Sequence, residues 1–145
     1  MATFEKAIAI AATVHEGQKD KAGAAYILHP LRLMMKMTSD NSRIAAVLHD
    51  VVEDGAGWTL ESLSGEGFSD EIVSAVDGVT RRNDESYEEF IDRLSGDALA
   101  REIKLADLED NMNVLRLDEL TPKNLERLAR YHRAWKKLRK ISEGH

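Results

Sequence analysis

Apolar residues along this chain recur at spacings of three and four, the period of one helix face. Phe4, Ile8, Ala11, Ala12 and His15 predict a first helix over 3–16, stopped by Gly17. Residues 18–28 show no such period and read as a loop. Pro30 suits the first turn of a second helix running through Leu31, Leu33, Met34 and Met37. Asp40 or Ser42 is expected to cap a third helix. Its apolar positions Ile44, Val47, Leu48, Val51 and Val52 mark it as central, and Gly55 and Gly57 end it.

Short helices follow over 58–63, capped by Thr59, and over 68–76, opened by Ser69 and closed by Gly78-Val79-Thr80. Arg81 and Arg82 fall in a polar loop and read as solvated charges. A helix over 86–94 carries Tyr87, Phe90 and Leu94. Asp97 caps another from Ala98 to near Leu115, with Leu99, Ile103, Ala106 and Met112 as its stripe. Thr121-Pro122 opens a last helix reaching Ile141, whose stripe of Leu125, Leu128, His132, Trp135 and Leu138 reads as a core face. The few β-branched runs are short and lie inside helical patterns. The expectation is therefore an all-α fold of seven or eight helices.

Composition narrows the picture. A chain of 145 residues, 43% hydrophobic, can build one core, and the reading takes 1–145 as a single domain. It has no cysteine, which rules out thiolate ligands and disulfides and suits a reducing cytoplasm. No apolar run approaches the roughly 20 residues that span a bilayer, so no membrane association is expected. The segment from Met1 to Lys6 lacks the basic-then-apolar order of a signal peptide. With 20 basic against 26 acidic residues the net charge is −6, so nucleic acid is not an expected partner. A small phosphorylated ligand in a locally basic pocket remains compatible with that charge.

Chemistry concentrates in the stretch 45–54. It is apolar enough for a core, yet holds His49, Asp50, Glu53 and Asp54. Burying those groups is costly unless something compensates them, and one divalent cation would compensate most of them together. His49 and Asp50 are therefore read as metal ligands, with Glu53 and Asp54 working beside them. On a continuous helix Glu53 would share a face with His49, and Asp54 with Asp50. His29, at the entrance of the second helix, is either a further ligand or a capping residue. Asp107, after an apolar turn, needs a cationic partner, either a metal or Lys104 three residues earlier. Asn111 shares its face one turn later. His15 reads as a packed, hydrogen-bonded histidine. The donor set His29, His49, Asp50 and Asp107 holds nitrogen and oxygen without sulfur. It favours Mn²⁺, with Fe²⁺ or Zn²⁺ as alternatives.

These residues sit in ordered motifs: H-x-G-Q at 15–18, Y-I-x-H-P at 26–30, L-H-D-V-V-E-D at 48–54, G-V-T at 78–80 and K-L-A-D-x-x-x-N-M at 104–112. Together they resemble the HD-domain hydrolases. Within these, the pattern is similar to the hydrolase half of the RelA/SpoT alarmone enzymes and to the small single-domain SpoT homologs. The likeness covers a motif-bearing core over 4–115, leaving 122–142 as a C-terminal packing helix.

The resemblance implies an HD fold with one Mn²⁺ held by His29, His49, Asp50 and Asp107. It places Glu53 and Asp54 where the attacking water is oriented or activated. It also implies removal of the 3′-pyrophosphate from guanosine tetra- or pentaphosphate, without synthesis. Lys21 matches the lysine of the family's Arg-Lys pair and is the expected substrate cation, with Asn111 retained in the pocket. The chain departs from the family pattern at Asp20, where an arginine is common, at Leu108, also commonly arginine, and at Val114, usually threonine. Those departures keep other readings open: a phosphohydrolase of another nucleotide or of NADPH, or a helical module that senses a nucleotide without turning it over.

Overall fold

A computed structural model describes residues 2–144; Met1 and His145, the ends of the expected 1–145 unit, lie outside the described residues. The described chain is helical throughout. Its helices are α1 (Phe4–Val14), α2 (Leu28–Met35), α3 (Asp40–Leu48), α4 (Val51–Asp54), α5 (Leu60–Gly65), α6 (Asp70–Val79), α7 (Tyr87–Leu94), α8 (Ala98–Asn111) and α9 (Pro122–Glu143). A 3-10 turn at Val114–Arg116 links the last two. Between α1 and α2, the loop closes on a single antiparallel bridge between Lys19 and Ala25.

The caps explain most of the boundaries. Thr3, Ser69 and Asp97 each accept a hydrogen bond from a backbone N–H of the first turn they open. Ser39, Thr59, Ser86 and Thr121 do so within full capping boxes. Ser39 therefore caps α3, where Asp40 or Ser42 was expected; Ser42 is its partner in the box. Gly17 ends α1 at φ 79°, a conformation a side chain would strain.

Helix α3 is the hub. Ile44, Ala45, Ala46, Val47 and Leu48 are all buried, so the helix is apolar around its whole circumference. It packs against α1, α2, α6 and α8, and α8 packs in turn on α9. A helix buried on every side fixes whatever protrudes from its C-terminal end. His49 and Asp50 stand there.

The central helix of the sequence reading is not continuous. It stops at Leu48 and restarts as the single turn of α4. The cause is His49. Its Nδ1–H donates to Ala46 O at 2.8 Å, and its own backbone N–H reaches the same carbonyl at 3.4 Å. That carbonyl is the acceptor Asp50 N–H would use in an unbroken α-helix. Asp50 instead adopts φ −109° and ψ 5°. The helical count otherwise follows the expectation, since the additional element comes from this division.

Two other boundaries moved. Helix α8 ends at Asn111, and the chain tightens into the 3-10 turn before Leu115. Helix α2 begins at Leu28, which puts His29 inside its first turn. In α9, Leu138 is buried and Trp135 packs on the core as expected, but Leu125 is half exposed and His132 is exposed; Ala134 and Tyr131 complete the inward face. No helix among the described residues is long and apolar enough to cross a membrane.

Candidate metal centre

Three elements meet at the C-terminal end of α3. From α2 comes His29, from the α3–α4 break come His49 and Asp50, and from α8 comes Asp107. One donor atom each from His29, His49 and Asp50 lies within 4.8 Å of the others. Asp107 Oδ1 lies 2.8 Å from His29 Nε2 and 3.7 Å from His49 Nε2. The two imidazole centroids are 5.1 Å apart. His29, His49 and Asp107 are all buried.

The donor chemistry fits a divalent cation. His49 donates through Nδ1 to Ala46 O, which leaves Nε2 with the lone pair. Nε2 is buried, has no aligned hydrogen-bond partner, and lies 3.1 Å from Asp50 Oδ2. A buried ring nitrogen without a partner, facing two carboxylates and a second imidazole, is the geometry of a ligand. The structure places a His/Asp group here that can hold such an ion.

Charge is distributed to match. Burial opposes protonation of His49, but Asp50 and Asp107 outweigh it and hold its pKa well above the usual 6.5 in the metal-free protein. The His29 pKa is likewise raised: burial works against the charged ring, and hydrogen bonds to Asp107 and Asp110 prevail. Asp50 is held at about 2, because the His49 charge overcomes the cost of burial. Lys104 Nζ donates to Asp107 Oδ2 at 2.8 Å, so Lys104 and the centre share this carboxylate. Of the two partners posed for Asp107, Lys104 is in place on one oxygen, and the other oxygen faces the two imidazoles.

Glu53 and Asp54 lie on α4, at the rim. Glu53 reaches solvent, yet partial burial and the neighbouring Asp50 and Asp54 carboxylates push its pKa up to about 7. Asp54 Oδ2 accepts from Gln18 Nε2 at 3.3 Å, and Gln18 Oε1 accepts from His15 Nδ1 at 2.9 Å. His15 is therefore the packed, hydrogen-bonded residue expected, and the H-x-G-Q motif serves to brace Asp54. Because α4 is separate from α3, Glu53 and Asp54 do not continue the helical face of His49 and Asp50. They are presented on a turn of their own.

A cavity of about 360 Å³ opens alongside. Lys21, Asn111, Asn113, Arg116, Arg127 and Tyr131 are among its lining residues. Tyr26 and Asn111 form its link to the centre: Tyr26 Oη donates to Asp50 Oδ2, and Asn111 Nδ2 donates to Asp107 Oδ1 at 3.2 Å. The Lys21 pKa is lowered by partial burial and then by Arg127, Arg130 and Lys123; of these three cations Arg127 also lines the cavity.

Sequence reading missed Tyr26 as a donor to Asp50, and missed Asp110, Arg32, Arg116 and Arg127 entirely. Tyr26 stood inside a quoted motif, which was the available signal. Asp110 carries no local signal for its contacts to His29 and Arg32, because both lie far away in the chain.

A family model described as "HD domain" matches residues 7–116. The chain is 31% identical over 144 residues to a GTP pyrophosphokinase of Myxococcus xanthus, covering 87% of this chain and 18% of that protein. It is 32% identical over 124 residues to a guanosine-3′,5′-bis(diphosphate) 3′-pyrophosphohydrolase of Aquifex aeolicus, covering 77% and 18%. It is 33% identical over 140 residues to the bifunctional (p)ppGpp synthase/hydrolase SpoT of Escherichia coli, covering 88% and 20%. The chain thus spans about a fifth of the length of these curated relatives.

Proposed function

Since the chain belongs to the HD-domain family, we propose that it is a metal-dependent phosphohydrolase acting on a small phosphorylated nucleotide. Its best-supported substrate is guanosine tetra- or pentaphosphate, from which it removes the 3′-pyrophosphate. The observation that carries this reading is the meeting of His29, His49 and Asp50 donor atoms within 4.8 Å, beside a carboxylate whose pKa is near 7. The similarity to proteins named as guanosine-3′,5′-bis(diphosphate) 3′-pyrophosphohydrolases supports the choice of substrate.

His29 Nε2, His49 Nε2, Asp50 and Asp107 would hold the cation, and their mixed nitrogen and oxygen donors suit Mn²⁺, with Fe²⁺ or Zn²⁺ as alternatives. When bound, the cation supplies electrophilic pull on the scissile phosphoryl group and acidifies water. Water adds to phosphorus, the bond to the ribose 3′-oxygen breaks, and that oxygen leaves with a proton. Glu53, poised near neutrality, takes the proton of the attacking water. Asp54, braced by Gln18, orients that water. Lys21 and Asn111, with Arg116 and Arg127 opposite, neutralise and orient the phosphates in the cavity. Tyr26 holds the Asp50 carboxylate in place. A nucleotide substrate of this kind places the enzyme in the cytoplasm.

The test is incubation of the protein with guanosine tetraphosphate and Mn²⁺, following GDP and pyrophosphate. Turnover is expected, with Glu53→Gln slower by about 10²–10⁴ while metal content is retained. No release above that of a His49→Ala/Asp50→Ala double variant would reject the reading.

A second reading, hydrolysis of another nucleotide or of NADPH, draws on the cavity wall. Asp20 and Val114 line it, and Asp20 Oδ1 is committed to the backbone N–H groups of Ala22 and Ala24, both at 2.9 Å. An arginine there would offer the ligand a cation; Asp20 offers none. A substrate panel with added Mn²⁺ separates the two, since clear preference for the alarmone removes the second.

A further inference from the structure

Asp110 lies one turn beyond Asp107 on α8 and is only 5% exposed. Its Oδ2 accepts from His29 Nδ1 at 2.6 Å. Arg32 donates to both of its oxygens, from Nε at 2.8 Å and from Nη2 at 2.9 Å. Arg116 closes on it from the cavity side, with Nη2 donating to its backbone carbonyl at 2.9 Å and Nη1 3.4 Å from Oδ1.

A buried carboxylate is costly unless it is paired. Here two guanidinium groups already compensate one carboxylate, the first of them as a two-pronged fork. The bond to His29 is therefore surplus to the needs of Asp110. It matters for the histidine. In the neutral ring that a cation requires, Nδ1–H committed to Asp110 leaves the lone pair of His29 on Nε2, the nitrogen 2.8 Å from Asp107 Oδ1. His49 is fixed in the same tautomer by a neutral acceptor, Ala46 O.

Building on the metal-centre reading above, we propose that Asp110 is a positioning residue of that centre. It fixes the tautomer and ring plane of His29 and strengthens Nε2 as a donor to a divalent cation. The arginines pin the carboxylate so that it can do this. The two imidazoles are thereby unequal, one backed by a charged carboxylate and the other by a carbonyl.

The replacement Asp110→Asn gives the sharpest test. Asparagine keeps one oxygen; the guanidinium groups can only donate, so that oxygen faces Arg32 Nε and Arg116 Nη1, and the NH₂ group faces His29, whose ring nitrogen can accept. That donor reverses the tautomer and puts the proton on Nε2, where the cation should bind. Mn²⁺ and Zn²⁺ affinities of the full chain are measured by chelator competition without substrate, and the His29 ring is followed by ¹⁵N NMR. Asp110→Asn is expected to weaken metal binding by about 10- to 100-fold and to shift His29 to the Nε2–H form. Arg32→Ala, which leaves the carboxylate and the histidine bond, should lose less. Asp110→Asn with unchanged metal affinity and an unchanged His29 tautomer overturns the proposal. If Asp110→Asn fails to fold, Asp110→Glu decides: its longer carboxylate keeps the tautomer and should restore affinity close to the parent, and an affinity loss with the tautomer kept overturns the proposal. A parent protein that binds neither metal defeats the underlying metal-centre reading instead.

Discussion

Both imidazoles of the centre carry protons more tightly than a free histidine, whose pKa is 6.5. A folded-state pKa raised in this way contributes stability that is fully present below 6.5 and is lost as pH rises through the folded value. Glu53, raised from 4.5 to about 7, acts in the same direction. Metal-free protein should therefore melt at progressively lower temperature as pH rises from about 5.5 through neutrality and above. Metal binding needs neutral imidazoles, so its affinity should rise over the same interval. Thermal melts with and without chelator check both slopes, and a metal-free melting temperature that climbs with pH would contradict the assignment. Asp107→Ala is expected to lower bound metal as well as turnover, since it removes an oxygen close to both imidazoles. Elemental analysis at full occupancy in that variant would remove Asp107 from the ligand set. At this scale His49, Asp50, Glu53 and Asp107 stood out in the sequence as charge in apolar surroundings, whereas His29 stood out only by its place at a helix entrance and stayed open between ligand and cap. Asp110 did not stand out, because its partners His29 and Arg32 lie about eighty positions away and nothing in the neighbouring residues encodes that approach.

Periodicity revealed the helices, and it failed where a side chain competes with the backbone for hydrogen bonds. The α3–α4 division is such a case. Apolar spacing runs unbroken through Val47, Leu48, Val51 and Val52, and only the capture of Ala46 O by the His49 ring interrupts it. The last helix misled in a different way. Its expected stripe has the right period and reaches the core at Trp135 and Leu138, but Leu125 and His132 at the same spacing stay exposed. Close approach is the other property a pattern does not display. A Cβ placed on Gly78 of α6 would lie 2.9 Å from the Cβ of Ala100 on α8. Gly78→Ala gains about 1 kcal/mol in helix propensity but forces these helices apart, at about 1–3 kcal/mol. The net expectation is modest destabilisation, read as a lower urea midpoint with unchanged slope. A raised midpoint would show that α6 and α8 separate freely. Thr121→Ala should cost about 1 kcal/mol through loss of the cap on α9.

Across the whole molecule, charge is unevenly shared. The chain carries −6 in total, yet basic residues recur along α9, with acids there only at Glu126 and Glu143. Arg127 turns this basic helix toward the cavity that also holds Lys21 and Arg116. The acidic remainder discourages nucleic acid, while the mouth attracts a small polyanion. Raising ionic strength from about 0.05 M to about 0.5 M should raise KM severalfold with little change in kcat. Arg127→Ala should reproduce much of that rise at low salt and leave metal affinity unaltered. A KM indifferent to both would deny the mouth any role in capture. Overall composition could not reveal this asymmetry, because it averages over faces that the fold separates. The split beside Ala46 has one last implication. The side chains that would grip the cation are rooted in the rigid hub and in two helices packed on it, whereas those that would handle water ride on one short turn at the rim. Loading and reaction can consequently be uncoupled: a change confined to that turn, such as Glu53→Gln, should yield a protein that fills with metal normally and captures its nucleotide intact, a natural starting point for trapping the pair together.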